Sequence, residues 1–479
     1  MNLLKSKLLR KFLSFSYGSW VGLLVGFLGT IITTRLLVPE DFGKASMFTL
    51  ALQLIMIFIV FGTDQAFVRF FYEEKEEVRS KLLFHALKLP ILIALFMLPL
   101  LVIFYGPVTR FLLEEEVFHI AVLLAVGIFL QMIYRYAVLV IRMKQKGHLY
   151  SILEIANRTL NIIFLLLFVF WLGPSYKVII YATVVTLITL TVIAVLFEKS
   201  FWRFDRRSQS TYDSKNHFKE IIIYSYPLVI STMITWLFQS FDRIALKQWS
   251  TFEELGLFAA ALKIIALLNV IQVAFNTFFA PVCYEHYEKN PQDTEFFARI
   301  ARIMAIVMFS ISIVMIASKE LIIFFLGSAY RDAAVIMPFL VFMPMLYTMS
   351  STTGLGMNLL KKTNWHILIA IVSCVVNIAG NFWLVPEYGA VGAALSTAIA
   401  YIVYFALRTH ISQMYLPIHF GLVKMYTMMG LIFAFAGMAV LYQNTWLDLS
   451  VGTILLVILS AFYWRDLRSI LSKRSVLTP

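Results

Sequence analysis

Basic residues lie inside long apolar stretches of the sequence, where a charge is costly. They are Lys88, Arg135, Arg158 and Lys263. A cation at the middle of a bilayer costs about 2.5–3.5 kcal/mol on insertion scales, so one that persists usually faces a cavity or a partner. At a rise of about 1.5 Å per residue, Arg158 lies roughly 15 Å into its stretch and Lys263 roughly 12 Å into its own. We predict that these two side chains line a cavity and hold an anion.

Three other basic residues are candidates for the same cavity. Arg135 lies roughly 10 Å from the end of its stretch. Lys88 is at a similar depth, although its long side chain can also extend back to the membrane surface. Arg35 lies near the end of the first stretch. There it either lines the cavity or anchors the end of the helix at the interface.

Asp64 and Glu154 are the acidic residues placed clearly within the stretches. Glu154 precedes Arg158 by one helical turn, and the alternative to an anion site is that this carboxylate neutralises the arginine. Asp64 is predicted to pair with Lys88 or Arg69, or else to be protonated during an ion-coupled cycle. Because cations outnumber acids inside the stretches, the balance favours an anionic substrate.

Neutral polar residues also occur within the stretches. The amides are Asn157, Asn161, Asn269, Gln272, Asn276, Asn377 and Asn381. Such amides bind sugar hydroxyls or join helices to one another, and for any single amide we favour the packing role. Gly18, Gly22 and Gly26 form a ridge of small residues that predicts close helix packing. Asp242 and Arg243 are predicted to form an ion pair at a membrane boundary.

The composition describes a chain that is largely dissolved in lipid. Of its 479 residues, 61% are hydrophobic and 14% are charged, and the mean hydropathy is +0.84. Soluble chains have roughly 45–50% apolar and about 25% charged residues, so a soluble enzyme is excluded. Apolar runs cover 12–37, 43–71, 81–105, 117–142, 148–171, 176–197, 221–247, 255–283, 298–326, 333–358, 365–385, 389–410, 420–442 and 446–465. We therefore predict an all-α polytopic membrane protein with about fourteen transmembrane helices.

The charges between the runs predict the orientation in the membrane. If the N-terminus is cytoplasmic, the inner segments hold 28 Lys and Arg and the outer segments hold eight. Cytoplasmic loops carry such an excess, so both termini are predicted to be cytoplasmic. The net charge of +13 then reflects topology, and no nucleic-acid partner is predicted. Cys283 and Cys374 lie in apolar runs without a C-x-x-C spacing, and we predict no metal site and no cofactor.

An internal repeat relates the two halves of the chain. RLLVPEDFGKASMFTLAL, from Arg35, resembles KQWSTFEELGLFAAALKI, from Lys247. The aligned pairs are Gly43 with Gly256, Tyr134 with Tyr347, Asn161 with Asn377 and Pro174 with Pro386, at offsets of 213, 213, 216 and 212. Each repeat contains six crossings, so we predict two lobes related by a pseudo-twofold axis along the membrane normal. The predicted parts are an N-lobe at 1–197, a cytoplasmic linker at 198–220, a C-lobe at 221–410, and a last helix pair with a tail at 411–479.

The motifs RLLVPEDFG (35–43) and FGTDQAFVRFF (61–71), separated by an apolar helix, resemble the opening of the polysaccharide flippase family. This family belongs to the multidrug/oligosaccharidyl-lipid/polysaccharide exporter superfamily. The resemblance implies a flippase that moves an isoprenoid-pyrophosphate-linked oligosaccharide to the outer leaflet of a bacterial inner membrane. It also implies membrane lipids, an H⁺ or Na⁺ coupling ion and the polysaccharide polymerase machinery as partners. In this interpretation the cavity cations hold the pyrophosphate, by bidentate contacts from Arg and as a point charge from Lys.

Three alternatives remain open. Multidrug antiporters of the superfamily usually have twelve helices and favour acidic cavities, in contrast to the last helix pair and the basic residues here. Lipid II flippases carry arginines early in the first helix, where SFSYGSWVGLLVG (14–26) has no cation. A polytopic enzyme of polysaccharide synthesis would need a convergent catalytic set, and none is visible in the short outer loops.

Overall fold

The computed structural model describes residues 2–202, 214–362, 364–466 and 468. Throughout this part the regular elements are helical. The first nine α-helices are α1 (Asn2–Leu36), α2 (Pro39–Val60), α3 (Thr63–Phe70), α4 (Arg79–Ile103), α5 (Tyr105–Leu113), α6 (Phe118–Met143), α7 (Gly147–Leu172), α8 (Tyr176–Phe197) and α9 (Ser214–Trp249). The others are α10 (Phe252–Ile265), α11 (Asn269–Lys289), α12 (Thr294–Ala317), α13 (Lys319–Ile323), α14 (Ala333–Leu340), α15 (Phe342–Thr353), α16 (Leu355–Leu359), α17 (Asn364–Tyr415), α18 (Leu422–Tyr442) and α19 (Thr445–Phe462).

Twelve helices in the described part are long and apolar enough to cross a membrane. This confirms the predicted class of an all-α, multi-pass membrane protein, but it does not confirm the count of fourteen. The two runs at 365–385 and 389–410 lie in α17, which is kinked at Gly389, where φ is 51°. The run at 255–283 is divided between α10 and α11, and neither helix is among the twelve.

The chain divides into two compact units. The first contains Met1–Leu37 and Asp41–Trp236, and the second contains Val38–Glu40 and Leu237–Pro479. The boundary between them falls within α9. Residues 203–213 of the predicted linker, and residues 467 and 469–479 of the predicted tail, lie outside the described part of the chain.

In the first unit, the glycines of α1 lie directly against α7. A Cβ atom added at Gly18 would overlap the backbone of Ser151, and one at Gly22 would lie 3.4 Å from Cγ of Glu154. The Ser151 hydroxyl accepts from the Gly18 amide at 3.2 Å. The predicted ridge therefore packs against α7, and at Gly18 only glycine lets the two backbones approach this closely.

In the second unit, a buried ion pair joins the last helix to the rest of the unit. Lys319, at the start of α13, lies 3.0 Å from Oδ2 of Asp448 in α19, and both side chains are buried. Lys319 also donates to the Ala439 carbonyl of α18 at 3.0 Å. Since a buried charge is stable only with partners, these contacts bind α18 and α19 firmly to the second unit.

Candidate functional site

An interruption of the helix at Phe61 and Gly62 positions the first carboxylate of the site, that of Asp64. Phe61 and Gly62 have positive φ angles of 49° and 69°, and they separate α2 from α3. A Cβ atom at Gly62 would lie 2.9 Å from the Ser225 carbonyl oxygen, so the close approach to α9 requires glycine. The Thr63 hydroxyl donates to the Val60 carbonyl at 2.8 Å and lies 2.6 Å from the hydroxyl of Tyr136. The first turn of α3 is thereby fixed against α6.

Asp64 lies in that first turn and pairs with Arg135 of α6. Both Nε and Nη2 of Arg135 donate to Oδ2 of Asp64, at 2.9 and 2.5 Å. The carboxylate is nearly buried, with 7% of the side chain exposed, whereas the arginine side chain is 50% exposed. The predicted partners Lys88 and Arg69 were wrong: Arg69 pairs with Glu73, one helical turn further along. The break after Val60 turns Asp64 toward α6, which sequence spacing does not reveal.

A cavity of about 700 Å³ surrounds this pair within the first unit. It is lined by Asp64, Gln65, Val68, Arg69, Gln131, Tyr134, Arg135, Val138, Leu139, Arg142, Tyr150 and Tyr224. Three arginines and one aspartate give the lining a formal charge of +2. Two glutamines and three tyrosines supply neutral donors, acceptors and ring faces. The combination suits an anion that also carries hydroxyl groups.

One face of α6 supplies much of the lining. Gln131, Arg135 and Arg142 recur at intervals of four and seven residues, which places them on the same side of a helix. Arg142 is exposed, and it forms no ion pair with any carboxylate in the described ranges. Sequence reasoning missed this residue because it assigned Arg142 to a cytoplasmic loop. The seven-residue spacing from Arg135 was the signal that could have identified it.

Glu198 holds the end of α6 in place beneath the cavity. Its buried carboxylate accepts from Lys144 at 2.7 Å and also from Lys146. Burial by itself raises the pKa of Glu198, but the hydrogen bonds and charges of the two lysines outweigh burial, so the pKa lies below its usual range. The clamp fixes the turn that follows Arg142.

Glu154 and Arg158 lie on α7 beside α1. Tyr150, which lines the cavity, hydrogen-bonds to Glu154. The Arg158 side chain is exposed and runs along the glycines of α1, with Cδ 3.7 Å from the position of a Cβ atom at Gly26. In the described chain no acidic side chain forms an ion pair with Arg158, so the neutralising pair considered from the sequence is not formed.

The other predicted cations occupy separate places. Lys88 is exposed, and its Nζ lies 5.0 Å from the ring centroid of Phe218. Arg35 is exposed in the last turn of α1. Lys263 is exposed in the last turn of α10, in the second unit. Of the five predicted cations, Arg135 lines the cavity described above, and a substrate role for the others stays a prediction.

The second unit contains a buried polar cluster around Asp242. Asn377, Asn381 and Thr397 donate to its carboxylate at 3.0, 2.7 and 2.8 Å. The predicted ion pair with Arg243 was wrong, because Arg243 donates to Ser240 at 3.1 Å and Asp242 turns inward to these neutral donors. The two asparagine Oδ1 atoms are buried without a hydrogen-bond partner. Carboxylate and amide oxygens are the kinds of ligand that hard cations prefer.

The remaining predicted amides lie outside this cluster. Asn157, Asn161, Asn269 and Gln272 are half-buried in their helices. The side chain of Asn276 lies outside the described part of the chain.

A cavity of about 650 Å³ in the second unit is lined in part by carboxylates, namely Glu253, Glu254, Asp332 and Glu387. Glu254 accepts from the Ala390 amide at 2.5 Å, just after the kink in α17.

Solved structures with the same fold are membrane transporters. The lipid II flippase MurJ in its inward closed conformation is similar at a TM-score of 0.70, with 15% identity over 95% of this chain and 99% of that chain. An inward-facing multidrug resistance MATE family transporter of the MOP superfamily is similar at a TM-score of 0.62, with 16% identity over 85% of this chain and 95% of that chain. An outward-facing MATE family transporter gives a TM-score of 0.57, with 15% identity over 88% and 96%. The chain therefore has a polytopic transporter fold.

Sequence comparison defines the family within that class. The family model described as polysaccharide biosynthesis protein matches residues 8–285, which is more than half of the chain. The chain belongs to this family, and the resemblance inferred from the motifs at 35–43 and 61–71 is confirmed. No curated protein matches the sequence.

Proposed function

We propose that the protein is a flippase that moves an isoprenoid-pyrophosphate-linked oligosaccharide from the cytoplasmic to the outer leaflet. It works by alternating access during the synthesis of a cell-surface polysaccharide, and it makes or breaks no covalent bond. The observation that carries this proposal is the arginine- and tyrosine-lined cavity of the first unit. Family membership and the similar fold of a lipid II flippase support the same class of substrate.

The cavity suits a lipid-linked diphosphate for two reasons. Guanidinium groups bind phosphate oxygens through paired, charge-assisted hydrogen bonds, and Arg135 and Arg142 supply two such groups on one helix. Tyrosine and glutamine side chains hydrogen-bond sugar hydroxyls, and both residue types line the same space. Arg158 and Lys263 are proposed to meet the substrate at other stages of transport.

The membrane setting completes the proposal. The protein is placed in a bacterial inner membrane with both termini in the cytoplasm, which the 28-to-8 distribution of basic residues supports. Its partners are membrane lipids and the polymerase machinery that uses the flipped oligosaccharide. A cation such as Na⁺ or H⁺ drives the cycle. The Asp242 cluster is the proposed binding point for this ion, because its asparagine oxygens are buried without donors.

A second candidate is a cation or drug antiporter of the same superfamily. The acidic cavity lined by Glu253, Asp332 and Glu387 favours it, since such a lining attracts cations. A lipid II flippase is a further alternative, supported by the similar fold of MurJ. The two differ from the leading proposal in the molecule carried.

A transport assay separates these candidates. The full-length protein is reconstituted into liposomes with a fluorescent isoprenoid-pyrophosphate oligosaccharide, with lipid II, or with a cationic dye. Transbilayer movement of the oligosaccharide lipid is the expected result, and Arg135→Gln is expected to abolish it. Movement of the dye without movement of either lipid would make the protein an antiporter. Movement of lipid II alone would assign it to peptidoglycan synthesis.

A further inference from the structure

One carboxylate in the lining of the first unit's cavity, that of Asp64, is already paired with Arg135. Asp64 occupies Arg135 through two hydrogen bonds, both to the same carboxylate oxygen. Any substrate that binds Arg135 must therefore displace this carboxylate or share the guanidinium with it. The half-exposed arginine is open to the cavity, whereas the carboxylate is nearly buried.

Asp64 is also held firmly in position. It follows a backbone break at Gly62 that packs on Ser225, and its neighbour Thr63 contacts Tyr136. Because the first turn of α3 is anchored on both sides, the carboxylate remains close to Arg135 and competes with every incoming anion. This competition disfavours anions that form few contacts beyond the one with Arg135.

The charge of an anion decides whether its binding free energy exceeds the cost of displacing Asp64 from Arg135. The Arg135–Asp64 pair is neutral overall, so a singly charged anion that replaces Asp64 exchanges one ion pair for another. Phospholipid head groups with one phosphodiester charge are such anions, and a membrane protein meets them in large excess. A diphosphate carries a second charge. Arg142 lies two turns from Arg135, about 10.5 Å along the helix axis. Its long side chain pairs with no carboxylate of the described residues and can meet that charge.

We infer that Asp64 is a specificity-determining residue: it excludes singly charged phospholipid head groups from Arg135 and admits diphosphates, which engage Arg135 and Arg142 together. This inference rests on the proposed function and adds the basis of its selectivity. Asp64 acts through Arg135 and is a positioning residue. Its effect is a threshold: every anion must displace Asp64, and a diphosphate recovers this cost through its second contact with Arg142.

Binding measurements on the purified full-length protein in an uncharged detergent test the inference. The probes are inorganic pyrophosphate and dimethyl phosphate, which carries the single charge of a phospholipid head group, and the readout is calorimetric titration. Asp64→Asn keeps the size of the side chain but removes the competing charge. It is expected to tighten the binding of both probes by about tenfold, because each probe must displace Asp64 from Arg135 in the wild type. Dimethyl phosphate therefore changes from negligible to measurable binding, and Asp64→Glu reverses this change.

A second variant leaves Asp64 unchanged, so a folding defect of Asp64→Asn does not decide the outcome. Arg142→Gln is expected to weaken pyrophosphate binding until the ratio of the two affinities is close to one. In an Arg135→Gln background, Asp64→Asn is expected to change the affinity for either probe by less than about threefold. Unaltered dimethyl phosphate binding in Asp64→Asn would overturn the inference while the cavity remained an anion site, and so would unaltered pyrophosphate binding in Arg142→Gln. Wild-type protein that binds neither probe would overturn the anion site itself.

Discussion

Arg142 lies seven residues beyond Arg135 on the same face of α6, and the two arginines have different surroundings. Arg135 is paired with Asp64, whereas Arg142 forms no ion pair within the described residues. Both line one cavity with three tyrosines. The cavity thus offers one neutralised cation and one available cation, about two helical turns apart.

Replacement of Arg142 by glutamine is expected to slow flipping of the oligosaccharide lipid. One charge-assisted hydrogen bond contributes about 1.5–3 kcal/mol, which corresponds to about ten- to hundredfold in affinity. The effect should appear as a raised substrate concentration at half-maximal rate in proteoliposomes. Arg110→Gln is the matched control, because Arg110 pairs with Glu116 away from the cavity. Equal rates for the two variants would remove Arg142 from the site.

Arg158 and Lys263 are predicted to contribute to transport at other stages of the cycle. Arg158→Ala and Lys263→Ala should each reduce the rate of flipping, because each removes a cation that the chain keeps within an apolar stretch. The measurement is the initial rate of transbilayer movement at saturating substrate. Wild-type rates in both variants would show that these cations serve the structure alone.

Ion dependence tests the Asp242 cluster separately. Asp242→Asn removes the charge from a carboxylate that accepts three hydrogen bonds. It is expected to abolish any stimulation of flipping by a Na⁺ or H⁺ gradient and to retain pyrophosphate binding by the first unit. Gradient-driven transport by this variant would place the coupling ion elsewhere.

Local patterns in the sequence predicted the parts of the fold that depend on local order. Apolar runs predicted the helices, and the four-residue spacing of Gly18, Gly22 and Gly26 predicted the packing of α1. These features could be predicted because burial in lipid and helical periodicity act on neighbouring residues. The same logic singled out Arg135 as a candidate cation of a cavity and Asp64 as a residue that pairs with a base, although the partners named for Asp64 were wrong.

Contacts between distant helices could not be predicted in this way. The pairing of Asp64 with Arg135 joins residues 71 positions apart, and it depends on two positive φ angles at Phe61 and Gly62. Asp242 likewise meets Asn377 across 135 positions. A helical register shows which side of a helix a residue faces. It does not show which helix lies on that side.

Close packing of α1 on α7 predicts different effects for substitutions at Gly18 and Gly26. Gly18→Ala forces a methyl group onto the Ser151 backbone and is expected to destabilise the protein by about 1–3 kcal/mol. Gly26→Ala meets its nearest atom, Cδ of Arg158, at 3.7 Å and is expected to change stability by less than about 1 kcal/mol. Thermal unfolding in detergent compares the two variants. Equal melting temperatures would contradict tight packing at Gly18.

Glu198 is expected to make stability depend on pH. Its pKa is lowered in the folded protein, so it is a group whose stabilising effect is present above the pKa of the unfolded chain, about 4.3. That effect is lost as the pH falls through the lower, folded pKa, because protonation removes the ion pairs with Lys144 and Lys146.

Glu198→Gln should therefore lower the free energy of unfolding by about 1–3 kcal/mol at pH 7, because it leaves Lys144 and Lys146 without a charged partner. The difference from wild type should shrink as the pH falls below about 4.3 and through the lower, folded pKa, where the wild-type carboxylate also becomes neutral. Glu73→Gln is the matched control: Glu73 is half-exposed and pairs with Arg69, so its loss should change stability by less than about 1 kcal/mol. The measurement is unfolding across the pH range. A Glu198→Gln defect of constant size from pH 7 to pH 3 would mean that the role of Glu198 is steric and that its charge does not stabilise the turn after α6.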